Sequence, residues 1–259
     1  MIDQKKQEEL RAKYNPEGSE FRKRQMEIFE ILKYVKDVCE KKNIKYWLAS
    51  GTLLGAVRHG GFIPWDDDVD IEIPVSDLGR LKRCILTDNV FDWHDNSTDS
   101  HYWQRFPKIR SRNNDFRENA QFIECQRFKG CFVDVFPVEK MPDSFVKPCA
   151  FLLTPIVKWH NSNNNSKLFI ANLIFRFGQF FFLPIFRMLS LLARNTFFHL
   201  TYGVYFPKRR IISNIYETVD VEFENLKFKA PKDYSRYLET LYGKSYMDLP
   251  NESYRTNHS

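Results

Sequence analysis

Residues 65–74 read WDDDVDIEIP, and no other stretch restricts the fold as much. Val69, Ile71 and Ile73 alternate with Asp68, Asp70 and Glu72, the period-two pattern of a strand with one face in a core, and Pro74 closes it. Residues two apart on a strand project to the same face, so Asp68 and Asp70 stand about 7 Å apart along the backbone. Two carboxylates that close repel and raise each other's pKa unless a cation sits between them. Mg²⁺, or Mn²⁺ in its place, relieves that cost, because such hard ions take one or two carboxylates together with substrate phosphates. A solvated turn or a helix cap is the plainer reading of an Asp run. Here the acids lie on one face of an apolar strand, directly behind a Gly-Thr turn and a glycine pair, which favours the ion.

The flanking pattern fits. Apolar positions Phe21, Ile28, Ile31, Leu32, Val35, Val38 and Cys39 recur at helical spacing from Ser19 to Lys42, with Asn43 as the stop. A short strand is expected over Ile44 to Ala49, a turn at Gly51-Thr52, a short helix from Leu53 to Arg58, and a flexible link at His59-Gly60-Gly61. A small-residue turn that opens a helix leaves backbone N–H groups for a phosphate, which makes Gly51 and Thr52 substrate-binding candidates. Further strands are expected at Gln104–Arg110 and at Gly130–Phe136, the latter closed by Pro137. Asp134 interrupts that apolar strand. An edge position or a local hydrogen bond would explain it, and so would service as a third metal ligand or a general base. Arg58, Lys108 and Arg110, the last two on one strand face, are candidates for cations on phosphoryl oxygens, although any of them could be merely solvated. The tail PKDYSRYLETLYGKSYMDLP spaces Tyr234, Tyr237, Leu238 and Leu241 as a one-faced helix ended by Gly243. Strands and helices without regular βαβα alternation point to an α+β core, and the length suits one domain over residues 1–259, although two are possible.

Composition narrows the partners. A net charge of +6 suits an anionic ligand, but the bases form no long tract and no nucleic-acid motif is present, so nucleic acid is not expected. Five cysteines without a C-x-x-C pair argue against a disulfide framework and a compact zinc site. The polar N-terminus has no signal-peptide core, and the working face is expected to be cytoplasmic. The 24 Phe, 12 Tyr and 5 Trp exceed what a core of this size needs. Many of the Phe fall in 145–207, a stretch read as a helical insertion with an Asn-rich loop, NSNNNS, and Arg176, Arg187 and Arg194. Its longest uncharged run, Phe177–Phe186, contains Pro184 and is too short for a bilayer span of about 20 residues. Two readings stay open: a helical core insertion, or a peripheral contact with the cytoplasmic face of a membrane, apolar side down and arginines on lipid phosphates. Trp65, Trp93 and Trp103 could cage a quaternary ammonium, stack on a sugar or fill the core.

The block YWLASGTLLGAVRHGGFIPWDDDVDI (Tyr46–Ile71) strongly resembles the LicD family of phosphotransferases, whose relatives include the fukutin-like ribitol-phosphate transferases. FVDVFP (Phe132–Pro137) and the tail Pro231–Pro250 resemble the family's later motifs in the same order, while Phe145–Pro207 carries little of the signature. The resemblance implies a nucleotidyltransferase-like fold, a mixed β-sheet flanked by helices. It puts Gly51 and Thr52 at the phosphate, Asp68 and Asp70 on the metal, and Asp134 as the third acid. It implies transfer of phosphocholine or a similar phospho-alcohol from a CDP-linked donor to a hydroxyl of a cell-surface glycan: lipopolysaccharide, teichoic acid or capsule, the acceptor free or lipid-linked. The zinc-binding cysteine cluster of some animal relatives has no counterpart here. The acidic motif alone equally fits a nucleotidyltransferase acting on a small molecule, and a catalytically silent membrane-associated scaffold is the reading from another class.

Overall fold

A computed structural model describes residues 2–102, 104–112, 126–146, 170, 173–174, 177, 181, 183–201, 208–210, 212 and 217–255. Helix α1 (Gln4–Tyr14) starts at Asp3, whose carboxylate caps the N–H of Lys6. Helix α2 (Glu20–Lys42) starts at Ser19, whose hydroxyl accepts from the N–H of Arg22, and ends at Asn43 in the left-handed region with φ 50°. Both ends of α2 are where its sequence puts them, because a short oxygen-bearing side chain satisfies the first orphan N–H groups and Asn tolerates the left-handed turn. The chain continues through β1 (Trp47–Leu48), α3 (Ser50–His59), β2 (Asp70–Pro74), α4 (Val75–Asp88), β3 (Asp92–His94), β4 (Lys108–Arg110) and β5 (Phe132–Met141). Then come α5 (Leu183–Leu192), β6 (Phe197–Leu200), a β7–β8 hairpin (Thr218–Phe223 and Leu226–Pro231) and α6 (Tyr234–Tyr242). The fold is α+β, with a mixed sheet flanked by helices.

The central sheet runs β1-β2-β5-β4-β3, and β6 extends it by pairing with the far half of β5. Among the described residues only β2 and β5 pair in parallel; the other pairings are antiparallel. Register sorts the side chains by face. Leu48, Ile71, Val135, Val133, Ile109 and Trp93 fall on one face through the pairs Leu48↔Ile71↔Val135 and Val133↔Ile109↔Trp93. All six are buried, and α2 and α4, which touch each other, pack against the sheet. The other face carries Glu72, Asp70, Asp134, Lys108, Arg110 and His94, so this sheet has one oily side and one charged side.

Several sequence expectations need correction. The strand expected over Ile44–Ala49 is confined to Trp47–Leu48, and the one expected over Gln104–Arg110 to Lys108–Arg110. The short helix is longer than expected, because Ser50, Gly51 and Thr52 are its first turn. Asp68 precedes β2 and does not lie in it, although Val69 already accepts from the Asp134 N–H at 2.8 Å. Pro137 does not end β5. The N–H of Val135 points to Pro107 of the β4 side, and the carbonyl of Pro137 accepts from Thr201 at the end of β6. The N–H that proline lacks therefore falls in the seam where β4 has stopped and β6 has not yet begun, and no ladder bond is lost. Within 145–207, much of which lies outside the described residues together with the NSNNNS loop, α5 is helical but β6 joins the central sheet. No helix among the described residues is long and apolar enough to cross a membrane. Trp65 and Trp93 fill the core, and Trp103 lies outside the described residues.

Candidate active site

One row of residues crosses the charged face in register: Asp70↔Asp134↔Lys108↔His94, on β2, β5, β4 and β3. Neighbouring strands are about 4.8 Å apart, so parallel pairing of β2 with β5 sets the two carboxylates side by side without any loop having to position them. Lys108 Nζ lies 2.8 Å from Asp134 Oδ1 and 3.2 Å from the centre of the Phe132 ring. Behind it Arg110, fully buried, donates from Nε to His94 Nδ1 at 2.9 Å and from Nη1 to the Gly130 carbonyl. His94 in turn meets Asp99 at 3.0 Å. Burial first, then the Arg110 charge, lowers its pKa to about 4, so the ring is neutral at physiological pH and serves as a fixed strut.

The start of α3 is tied to the same row. Ala49 N–H donates to the Asp70 carbonyl at 3.0 Å, and Asp70 N–H donates to Thr52 Oγ1 at 2.7 Å. Leu53 N–H is the first to find an intrahelical acceptor, Ala49 O at 2.9 Å; before it, Ser50 N–H donates to the Tyr237 hydroxyl, and the N–H groups of Gly51 and Thr52 belong to the open first turn. A Cβ at Gly51 would sit 3.1 Å from Asp66 Oδ2, so glycine lets the turn approach the acids. The sequence reading made Thr52 a phosphate ligand. Its hydroxyl oxygen accepts from the strand, and its backbone N–H lies in the first turn of α3, the group on which that reading rests.

Four carboxylates share this corner. Asp70 is pushed well above the usual carboxylate range by burial and then by Asp68 and Asp134, with Lys108 pulling the other way. Asp66 is pushed up by burial, by the charge of Asp68 and by a hydrogen bond with it, and by Asp70. The phenol of Tyr242, at the end of α6, is also pushed up, by burial of its hydroxyl end and then by Asp70, Asp66 and Asp68, although the residue as a whole is 45% exposed. Asp66 and Tyr242 carry no sequence signal that separates them from their neighbours. The charge and oxygen chemistry of the set suit a hard divalent cation. Among the described residues, however, no three of His, Cys, Asp and Glu already surround one point. The fit is that of a site where one or two carboxylates and a phosphate share the ion, and no closed protein cage is present.

Arg58 is near the acids but engaged by backbone carbonyls. Its guanidinium is 4% exposed and holds the carbonyls of Tyr246 and Asp248 at 3.1 and 3.0 Å, so it clamps the C-terminal segment onto α3. Burial lowers its pKa to about 10. The structure thus brings Gly51, Thr52, Asp68, Asp70, Asp134 and Lys108 together, keeps Arg110 one layer behind and commits the Arg58 guanidinium to the C-terminal segment.

Residues 43–165 match the family model described as LicD/FKTN/FKRP, nucleotidyltransferase domain. An uncharacterised protein of Rickettsia typhi is 32% identical over 124 residues, 48% of this chain and 32% of that protein, so the match spans about a third of this relative's length. The lipopolysaccharide cholinephosphotransferase LicD of Haemophilus influenzae is 26% identical over 274 residues, 92% of this chain and 95% of that protein. The ribitol 5-phosphate transferase FKRP of Homo sapiens is 48% identical over 54 residues, 21% of this chain and 11% of that protein.

Proposed function

Because the chain belongs, through residues 43–165, to the LicD family of phosphotransferases, we propose that it moves a phospho-alcohol from a CDP-linked donor to a hydroxyl of a cell-surface glycan. The carrying observation is the parallel register of Asp70 with Asp134, which gathers two carboxylates beside the open first turn of α3. Crowded acids next to unspent N–H groups suit a diphosphate that arrives with a counter-cation. Mg²⁺ or Mn²⁺, held by one or two of Asp68, Asp70 and Asp134 together with the phosphates, would supply charge neutralisation on the diphosphate. The backbone N–H groups of Gly51 and Thr52 orient the phosphates. The acceptor oxygen bonds to the phosphorus that carries the alcohol, the bond from that phosphorus to the bridging oxygen breaks, and CMP leaves with the electron pair. Asp134, steadied by Lys108, receives the hydroxyl proton or holds the ion, and Lys108 offsets charge on the departing phosphate.

The names of the Haemophilus influenzae and human relatives support choline phosphate or ribitol phosphate as cargo, and a lipopolysaccharide-type glycan as acceptor. On α5, Ile185, Met188, Leu191 and Leu192 are exposed, which supports a peripheral contact at the cytoplasmic membrane face, where a lipid-linked acceptor would be met.

The test is incubation with a panel of CDP-alcohols, Mg²⁺ and a lipopolysaccharide or lipid-linked glycan acceptor, with CMP as the readout. CMP release that is lost in Asp70→Asn is expected. Release of pyrophosphate from a nucleoside triphosphate would replace this reading with nucleotidyl transfer. An unaltered biological role in the Asp68→Ala/Asp70→Ala protein would replace it with a silent scaffold.

A further inference from the structure

Glu72, on the charged face of β2, is fully buried and holds three donors. Trp47 Nε1 reaches Oε2 at 2.9 Å, while Arg210 Nε at 2.5 Å and the Tyr237 hydroxyl at 2.8 Å both reach Oε1. An unpaired carboxylate at this depth would be costly, so the cluster is first of all a means of burying Glu72. Its geometry extends further. The Tyr237 oxygen that donates to Glu72 also accepts the backbone N–H of Ser50, at 3.3 Å. Ser50 is the first residue of α3 and has φ 44°, a left-handed conformation that costs a side-chain-bearing residue free energy and persists only where its surroundings enforce it. The turn it begins presents Gly51 and Thr52 to the acids. Arg210, Glu72, Tyr237 and Ser50 therefore form one continuous hydrogen-bonded chain from the core to the phosphate turn, and two of its members lie outside the family match at 43–165.

We propose that Tyr237 is a positioning residue. Its hydroxyl, polarised and aimed by the Glu72–Arg210 pair, holds Ser50 in the left-handed conformation that points the Gly51 and Thr52 N–H groups at the donor's diphosphate. The idea rests on the functional reading above and adds to it that α6 belongs to the donor site. Tyr237 touches no reacting atom in this scheme and acts through Ser50.

Tyr237→Phe keeps the ring and removes the hydroxyl, and CDP with Mg²⁺ is the probe. Its affinity, measured by calorimetry, should fall roughly five- to tenfold, the factor for one lost hydrogen bond. The Ser50 amide should exchange faster by NMR, while core amides of α2 keep their protection. Ser19→Ala, which weakens the α2 cap and removes no hydrogen bond of Tyr237 or Ser50, is the stability control and should leave CDP affinity alone. Ser50→Gly in the Tyr237→Phe background should restore part of the affinity, because glycine takes positive φ without steric cost. Affinity within about twofold of wild type, or an unchanged Ser50 amide, overturns the proposal. If the wild-type protein fails to bind CDP, the nucleotide reading is what falls, and Ser50 exchange alone decides the positioning role.

Discussion

Asp66 and Asp70 keep their protons to higher pH in the folded chain than in the unfolded one, since burial and their acidic neighbours push both upward. The sign of their effect on stability is therefore the reverse of a salt-bridged carboxylate's. Their contribution is most favourable below the unfolded value near about 3.9 and is lost as pH rises through the folded-state values. Asp70→Asn should stabilise the metal-free protein at neutral pH while abolishing transfer. Each ~1 kcal/mol of relieved repulsion raises the melting temperature by about 2–4 °C in a chain of this size. Adding Mg²⁺ should raise the melting temperature of wild type and leave the variant's nearly unmoved. Calorimetric scans at pH 7.5 with chelator and with Mg²⁺ decide the matter, and a variant less stable than wild type in chelator would refute the crowding. At this scale the sequence is informative about Asp68 and Asp70, the acidic half of a period-two alternation, and about Asp134, which interrupts an apolar run. It was silent about Asp66, one of three consecutive aspartates, and about His94, which enters the row only through the β3–β4 register. Glu72 could be placed on a face, but its partners Arg210 and Tyr237 lie 138 and 165 residues away, beyond the reach of any local pattern.

Elements were legible where a cap or an alternation marked them. Ser19 and Asn43 bound α2 and Gly243 ends α6 because each supplies what a helix end lacks. The β7–β8 hairpin gave no comparable signal. Its turn is Glu224-Asn225, both left-handed at φ 49° and 63°, with no glycine to announce it. Tertiary contacts hold Glu224 there. Its carboxylate takes Arg22 Nη2 at 2.6 Å and the Phe62 N–H at 3.1 Å, and its own N–H reaches the Gly60 carbonyl at 2.9 Å. The hairpin is thus pinned to the glycine link that leads into the acidic run, and a methyl group at Gly61 would overlap the Glu224 carboxylate. Glu224→Ala, which leaves Arg22 buried with only Glu17 and Gln25, should cost about 3 kcal/mol. Gly61→Ala should cost about 1–3 kcal/mol by overpacking. Urea titrations measure both, and losses below about 0.5 kcal/mol would mean that the clasp is ornamental.

Across the whole molecule, the block that matches the family does not carry its own core. Residues 43–165 lack α2, whose Ile31, Leu32 and Val35 are fully buried, and β6, Arg210 and Tyr237 as well. Cut out alone, this block leaves Glu72 without two of its three donors and the oily face of the sheet without one of its two helices. A 43–165 fragment should show neither a cooperative thermal transition nor protease resistance, whereas the full chain should show both; a cooperatively melting fragment would disprove this. The antiparallel stem made by Val138–Met141 and Phe197–Leu200 has a different bearing. Chain departs and returns through that stem at the rim of the sheet, while Asp134 stays anchored upstream between β2 and β4. A change of length or composition beyond that stem would therefore reach the rim of the sheet first and leave the β2 and β4 pairings that seat Asp134 in place.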